Sequence, residues 1–175
     1  TVPSGSSVTA SFENKLKKFR VSLTKQDSST GSTAQGNASL DGAVYGLYEK
    51  DGTLLGKYTT ANGGKITSGY FACQDGAYIQ EITPPKGYLK DNTKYTLKSD
   101  DSNFTVEKNT VSQTVKDTVI KGQVKIHKTM EIPDPGDGTD VLVTPEAGAQ
   151  FQVYLKSAGS YTKAKPDEKD IITLD

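Results

Sequence analysis

Apolar and polar side chains alternate along this chain in short bursts, separated by clusters of Gly, Ser, Thr, Asn and Pro. Alternation at a period of two marks strands with one buried face. It predicts strands in FRVSLTK (19–25), AVYGLYEK (43–50), LLGKYTT (54–60), KITSGYFA (65–72), DGAYIQEI (75–82), KYTLKS (94–99), NFTVEK (103–108) and TVSQTVKDTVI (110–120). Asp51-Gly52 is a hairpin signal between the second and third of these. Pro84, Pro85 and Gly87 end the fifth, and 26–41, rich in Ser, Gly, Thr and Asn, reads as a surface loop. Ala/Leu/Glu-rich helical runs are missing, so the expected class is all-β.

Three strands break the pattern with a charge on the inward face. Glu81 follows Ile79 by two residues, Lys25 follows Val21 and Leu23, and Asp117 lies between Val115 and Val119. A lone buried ion costs several kcal/mol, on the order expected for unpaired charges. One Lys, one Glu and one Asp at inward positions of three strands therefore point to one shared site.

The chain also repeats itself. VTASFENKLKKFRVSLTKQD (8–27) lies over VSQTVKDTVIKGQVKIHKTM (111–130) without a gap, at a constant offset (111 − 8 = 103). Asn14 falls on Asp117 and Lys25 on Lys128; GAVYGLYEK (42–50) matches GAQFQVYLK (148–156) at an offset of 106 (148 − 42 = 106). A period near a hundred residues is the size of an immunoglobulin-like antiparallel sandwich rather than of a solenoid unit. The expected organisation is the last strand of an upstream unit in 1–17, one complete unit in 18–121, and the first part of a following unit in 122–175. That last piece lacks a counterpart of the Glu81 strand and of the closing strand, so it is not expected to fold well by itself.

Composition narrows the function. Lys+Arg and Asp+Glu both number 21 and no basic stripe stands out, which argues against nucleic acid as a partner. No stretch approaches the ~20 apolar residues of a membrane span, so no membrane insertion is expected of this segment. The single cysteine, Cys73, excludes an intramolecular disulfide and reads as a free thiol. His127 is the only histidine, and no metal or cofactor site is expected. Asp134, Asp137 and Asp140 lie in a Gly-rich loop whose spacing departs from a calcium loop, and they read as solvated.

Burial favours a neutral, nucleophilic amine and neutral carboxyls. Lys25 Nζ is then able to attack the Asp117 carboxyl, with Glu81 polarising the carbonyl and carrying the proton as water leaves. The product is an isopeptide amide, which removes two buried charges. Strand parity by itself leaves a plain Lys25–Asp117 ion pair open beside this cross-link.

The order VSLTKQD, GAVYGLYEKDG, YIQEITPPKGY, VKDTVIKGQVKIHK resembles the CnaB-type (prealbumin-like) domains of Gram-positive surface adhesins and pilins. The resemblance implies that Lys25, in a K-x-D pattern with Asp27, bonds to Asp117, and that Glu81, in E-x-x-x-P-x-G-Y, catalyses the step. It implies that the first and last strands lie side by side. Pro84 departs from the Ala usual in that family. Asn14 and Lys128 match the cross-linking positions of the flanking units, each holding part of a site. The function implied is a stalk or shaft module of a cell-wall-anchored surface protein, outside the cell, whose partners are the neighbouring repeats. The chemistry is a single intramolecular event, not enzymatic turnover. The alternative is an adhesin module that binds a host matrix protein or glycan, for which exposed aromatics on one face are the expected sign.

Overall fold

The computed structural model describes residues 4–5, 7, 9–133, 141–145 and 147–174. Its centre is a pair of facing sheets. In the first, β1 (Lys18–Asp27) is flanked on one side by β4 (Lys65–Thr67) and β5 (Phe71–Ala72), and on the other by β8 (Lys108–Asp117). The second has the order β3-β2-β6-β7, from β2 (Val44–Tyr48), β3 (Leu54–Thr59), β6 (Tyr78–Thr83) and β7 (Tyr95–Thr96). Phe19, Val21, Leu23 and Val115 of the first sheet meet Tyr45, Leu47 and Ile79 of the second in one core. The all-β class expected from the alternation, and the sandwich expected from the length of the repeat, are the fold.

The sequence dictates β1 most directly, since its ten residues alternate buried and partly buried without a break. At the β2–β3 hairpin, Gly52 takes the positive φ of 93° that the turn demands, and Asp51 Oδ1 accepts from Thr53 N at 2.9 Å. The Pro84–Tyr88 segment turns back so that Leu89 N donates to Thr118 O at 2.9 Å and Ile120 N to Gly87 O at 2.8 Å. The turn that ends β6 thereby clasps the end of β8.

Four features differ from the alternation. The 65–72 stretch is two short strands, because Ser68 Oγ takes the hydrogen bond of Val21 N at 2.8 Å in place of a backbone carbonyl. Of 94–99 only Tyr95 and Thr96 are strand. Residues 103–107 are not strand: a 3-10 turn over Asp101–Asn103, capped by Asp100, carries the chain across to Lys108, where β8 begins, and Phe104 packs on the core from a loop. Of the two apolar residues there, Phe104 is partly covered and Val106 is exposed, so the alternation lines no buried face. Finally, β1 and β8 run parallel over all ten residues, from Lys18↔Lys108 to Asp27↔Asp117, within otherwise antiparallel sheets. They are joined by the whole intervening unit rather than by a hairpin, so no turn forces them antiparallel.

The flanking segments differ from the central unit. The described residues from 9 to 17 form no strand and are mostly exposed, as are 121–128, although both align with strands of the unit. Alternation makes a strand only where an edge is there to receive it. Further on, β9 (Thr129–Pro133) pairs with β10 (Val141–Pro145), and β11 (Gln150–Tyr154) with β12 (Lys169–Thr173), as two separate hairpin sheets. Apart from Ala164, every buried apolar residue among those described lies between Phe19 and Val115. Two-stranded hairpins with so little covered surface are marginal by themselves.

Candidate functional site

At the end of the core the inward face of β1 passes from Leu23 to Lys25, that of β6 from Ile79 to Glu81, and that of β8 from Val115 to Asp117. Each charge takes the next inward position after an apolar one. The three side chains are 0% exposed and meet. Lys25 Nζ lies 2.9 Å from Glu81 Oε1 and against Asp117 Oδ2. Gly64 closes the site from outside. Its φ of +81° and its carbonyl, which accepts from Lys25 N at 2.7 Å, bring the backbone so near that a Cβ there would sit 2.9 Å from Lys25 O.

Glu81 is held at both oxygens. Oε1 accepts from Lys25, and Oε2 accepts from the backbone N–H of Asp91 at 2.9 Å. Asp91 is fixed in turn by the Tyr95 hydroxyl, which donates to its Oδ2 at 2.5 Å. Asp117 is the reverse case: the Lys25 amine packs against its Oδ2, and among the described residues no other donor reaches either carboxylate oxygen. Burial pushes its carboxyl up to about 6; the amine opposes that rise and the charge of Glu81 adds to it. A carboxyl so placed takes up a proton far more easily than an ordinary aspartate, and it lies against an amine.

Asp27 stands beside Asp117 in the β1–β8 register but does different work. Burial would raise its pKa. The backbone N–H groups of Thr30 and Ser29, the Gln35 amide and the Tyr88 hydroxyl outweigh that and hold it at about 2. It remains an anion that ties the 28–35 loop and the Pro-Pro-Lys-Gly-Tyr turn to the end of β1.

Sequence reasoning thus names three residues that the fold brings into contact, and two that lie apart from them. Asn14 is exposed in the extended N-terminal segment, and Lys128 is exposed in the 121–128 segment. Two contributors were missed, the Asp91 backbone and Tyr45, whose hydroxyl accepts from Lys25 Nζ at 3.0 Å. Parity does put Tyr45 on the inward face of its strand. That it stands opposite Glu81 depends on a register set by an irregularity between Val44 and Tyr45. Cys73 is half-buried, and burial and then the charge of Asp101 push its thiol up, Lys17 opposing, as suits an unreactive thiol. Asp134, Asp137 and Asp140 lie outside the described residues.

Comparison with known proteins follows the same lines. The family model described as "SpaA: Prealbumin-like fold domain" matches residues 19–114, more than half of the chain. No curated protein sequence matches. Among solved structures, the TIE protein of Bacillus anthracis is 17% identical with a TM-score of 0.56, over 90% of this chain and 27% of that one. BcpA, the major pilin subunit of Bacillus cereus, is 28% identical with a TM-score of 0.44, over 58% of this chain and 29% of that one. The major pilin SpaD from Corynebacterium diphtheriae is 16% identical with a TM-score of 0.47, over 61% and 32%. This chain therefore spans about a third or less of these proteins. The likeness to the TIE protein speaks for the fold alone, and the two pilin superpositions are too loose to carry function.

Proposed function

The chain belongs to the SpaA prealbumin-like fold domain family, and from that premise we propose that it is a shaft module of a cell-wall-anchored adhesin or pilin, stabilised by a self-formed isopeptide bond between Lys25 and Asp117. The observation that carries this reading is the solvent-free contact of an amine with a carboxyl that has no other donor, beside a carboxylate anchored at both oxygens. In the proposed step Lys25 Nζ attacks Asp117 Cγ, Glu81 takes a proton from nitrogen and delivers it to the departing oxygen, and water leaves. Glu81 acts once, so the module is not an enzyme in the sense of turnover.

Topology supports the mechanical half of the proposal. Parallel pairing of the first and last strands puts chain entry at one end of the sandwich and chain exit at the other. Ten strand residues span about 33 Å, so tandem units of this kind extend end to end into a rod. Tension entering at Lys18 runs along β1 to Lys25, crosses the amide and leaves at Asp117, bypassing everything between. An amide, unlike a disulfide, withstands reducing conditions, which suits an extracellular stalk. A glycan-binding face gains no support: the exposed aromatics among the described residues, Phe12, Tyr70 and Tyr154, lie far apart in the chain, and Arg20 and Lys108 already stack on Tyr70.

The experiment is the intact mass of the denatured chain beside a Glu81→Gln variant. The expected result is a deficit of one water in the parent and none in the variant. A parent at full mass overturns the proposal.

A further inference from the structure

A third group touches the Lys25 amine. The Tyr45 hydroxyl oxygen accepts from Nζ at 3.0 Å, and the ring centroid lies 5.4 Å from the nitrogen. The side chain is fully buried and stands opposite Glu81 in the β2–β6 register, so two acceptors sit side by side on neighbouring strands. A neutral primary amine carries two N–H bonds and one lone pair, disposed tetrahedrally with its carbon. Glu81 Oε1 at 2.9 Å and Tyr45 Oη at 3.0 Å take the two N–H bonds. The remaining direction is left to Asp117, whose Oδ2 packs against Nζ and which, among the described residues, has no donor other than that amine.

We infer that Tyr45, on the isopeptide reading above, is a catalytic residue of the cross-linking step: its hydroxyl holds the N–H that stays on nitrogen and so turns the lone pair toward Asp117 Cγ. The two amine hydrogens then have separate fates. As the Nζ–Cγ bond forms and the Cγ–O bond breaks, one hydrogen passes through Glu81 to the departing hydroxyl, which leaves as water. The other remains as the amide N–H and keeps its bond to Tyr45. Nothing is oxidised or reduced, and no co-reactant enters.

A phenol suits the place better than a carboxylate would. Another negative charge beside Nζ would favour the ammonium, which has no lone pair. Burial, and then the charges of Glu81 and Asp117, push the Tyr45 hydroxyl far above its ordinary pKa, so it offers acceptor lone pairs while staying neutral. If Tyr45 served only to fill the core, phenylalanine would replace it without effect on the chemistry.

The test follows bond formation in the full chain made by cell-free synthesis. Translation is stopped, aliquots are quenched in denaturant, and the fraction lacking one water is read by intact mass for the parent, Tyr45→Phe and Ile66→Val. Ile66 is a buried core residue on β4; its variant controls for a loosened core, and circular dichroism checks that each variant is folded. The expected result is a rate about tenfold lower for Tyr45→Phe, the worth of one buried hydrogen bond in the transition state, with Ile66→Val near the parent. Tyr45→Phe at the parent rate, or both variants equally slow, overturns the role of Tyr45 and leaves the cross-link standing. A parent that never loses water overturns both.

Discussion

Replacing Glu81 by Gln keeps the shape of the side chain and removes its ability to carry a proton. Lys25 and Asp117 would then remain an unreacted pair, and the chain would lose the constraint of the bond. The closed loop runs from residue 25 to residue 117, a span of 92 (117 − 25 = 92). The chain-entropy relation for such a closure gives about 4.6 kcal/mol at 25 °C, by restriction of the unfolded ensemble. Near its midpoint a unit of about a hundred residues unfolds with an entropy of roughly 0.2 kcal/mol/K, so the parent should melt about 20 °C above the variant. The buried ion pair left in the variant is close to neutral for stability and does not alter that figure much. Differential scanning calorimetry, with intact mass on the same samples, measures it. Melting points within about 5 °C of each other, in a parent that has lost water, would refute the reasoning, because a loop of this length cannot be closed at so small an entropic gain.

Asp117→Asn should still cross-link, losing ammonia instead of water, and its product is the same molecule as that of the parent; an Asn variant at its full sequence mass would count against Asp117 as the acceptor. Limited proteolysis in the exposed 28–33 stretch should nick the chain without separating the pieces on a denaturing gel, whereas Glu81→Gln should fall into two fragments. Separation in both would show that no bond joins β1 to β8. The carboxyl of Asp27 is held at about 2, below its ordinary 3.8, so it contributes stability above pH 3.8 that is lost as pH falls through about 2. That contribution is about 2 kcal/mol. Urea unfolding between pH 5 and about pH 1.5 should show a shallower pH dependence for Asp27→Asn than for the parent, and equal slopes would remove Asp27 as the clamp.

The candidate site was legible because strand parity is local. Lys25, Glu81 and Asp117 each sit two residues beyond an apolar inward residue, and pleating alone puts them on the inner face. Tyr45 was inward by the same rule, yet its place opposite Glu81 came from an irregularity in the β2–β6 ladder that no alternation records. Asp91 was not legible at all, since it serves through its backbone N–H. The strand misread in 103–107 carries the pattern in a loop, where only Phe104 reaches the core.

By itself the sequence determined which faces of β1, β6 and β8 turn inward, which turns end them, and that three charges must find one another or remain unpaid. These follow from periodicity and from the cost of burying a charge, both properties of short segments. Only the tertiary structure decided that β1 and β8 lie parallel, that Asp117 receives the amine and no other donor, and that Tyr45 completes the contacts of Nζ. Those facts depend on which strands become neighbours and in what register, and that choice is made by the packing of the whole core at once.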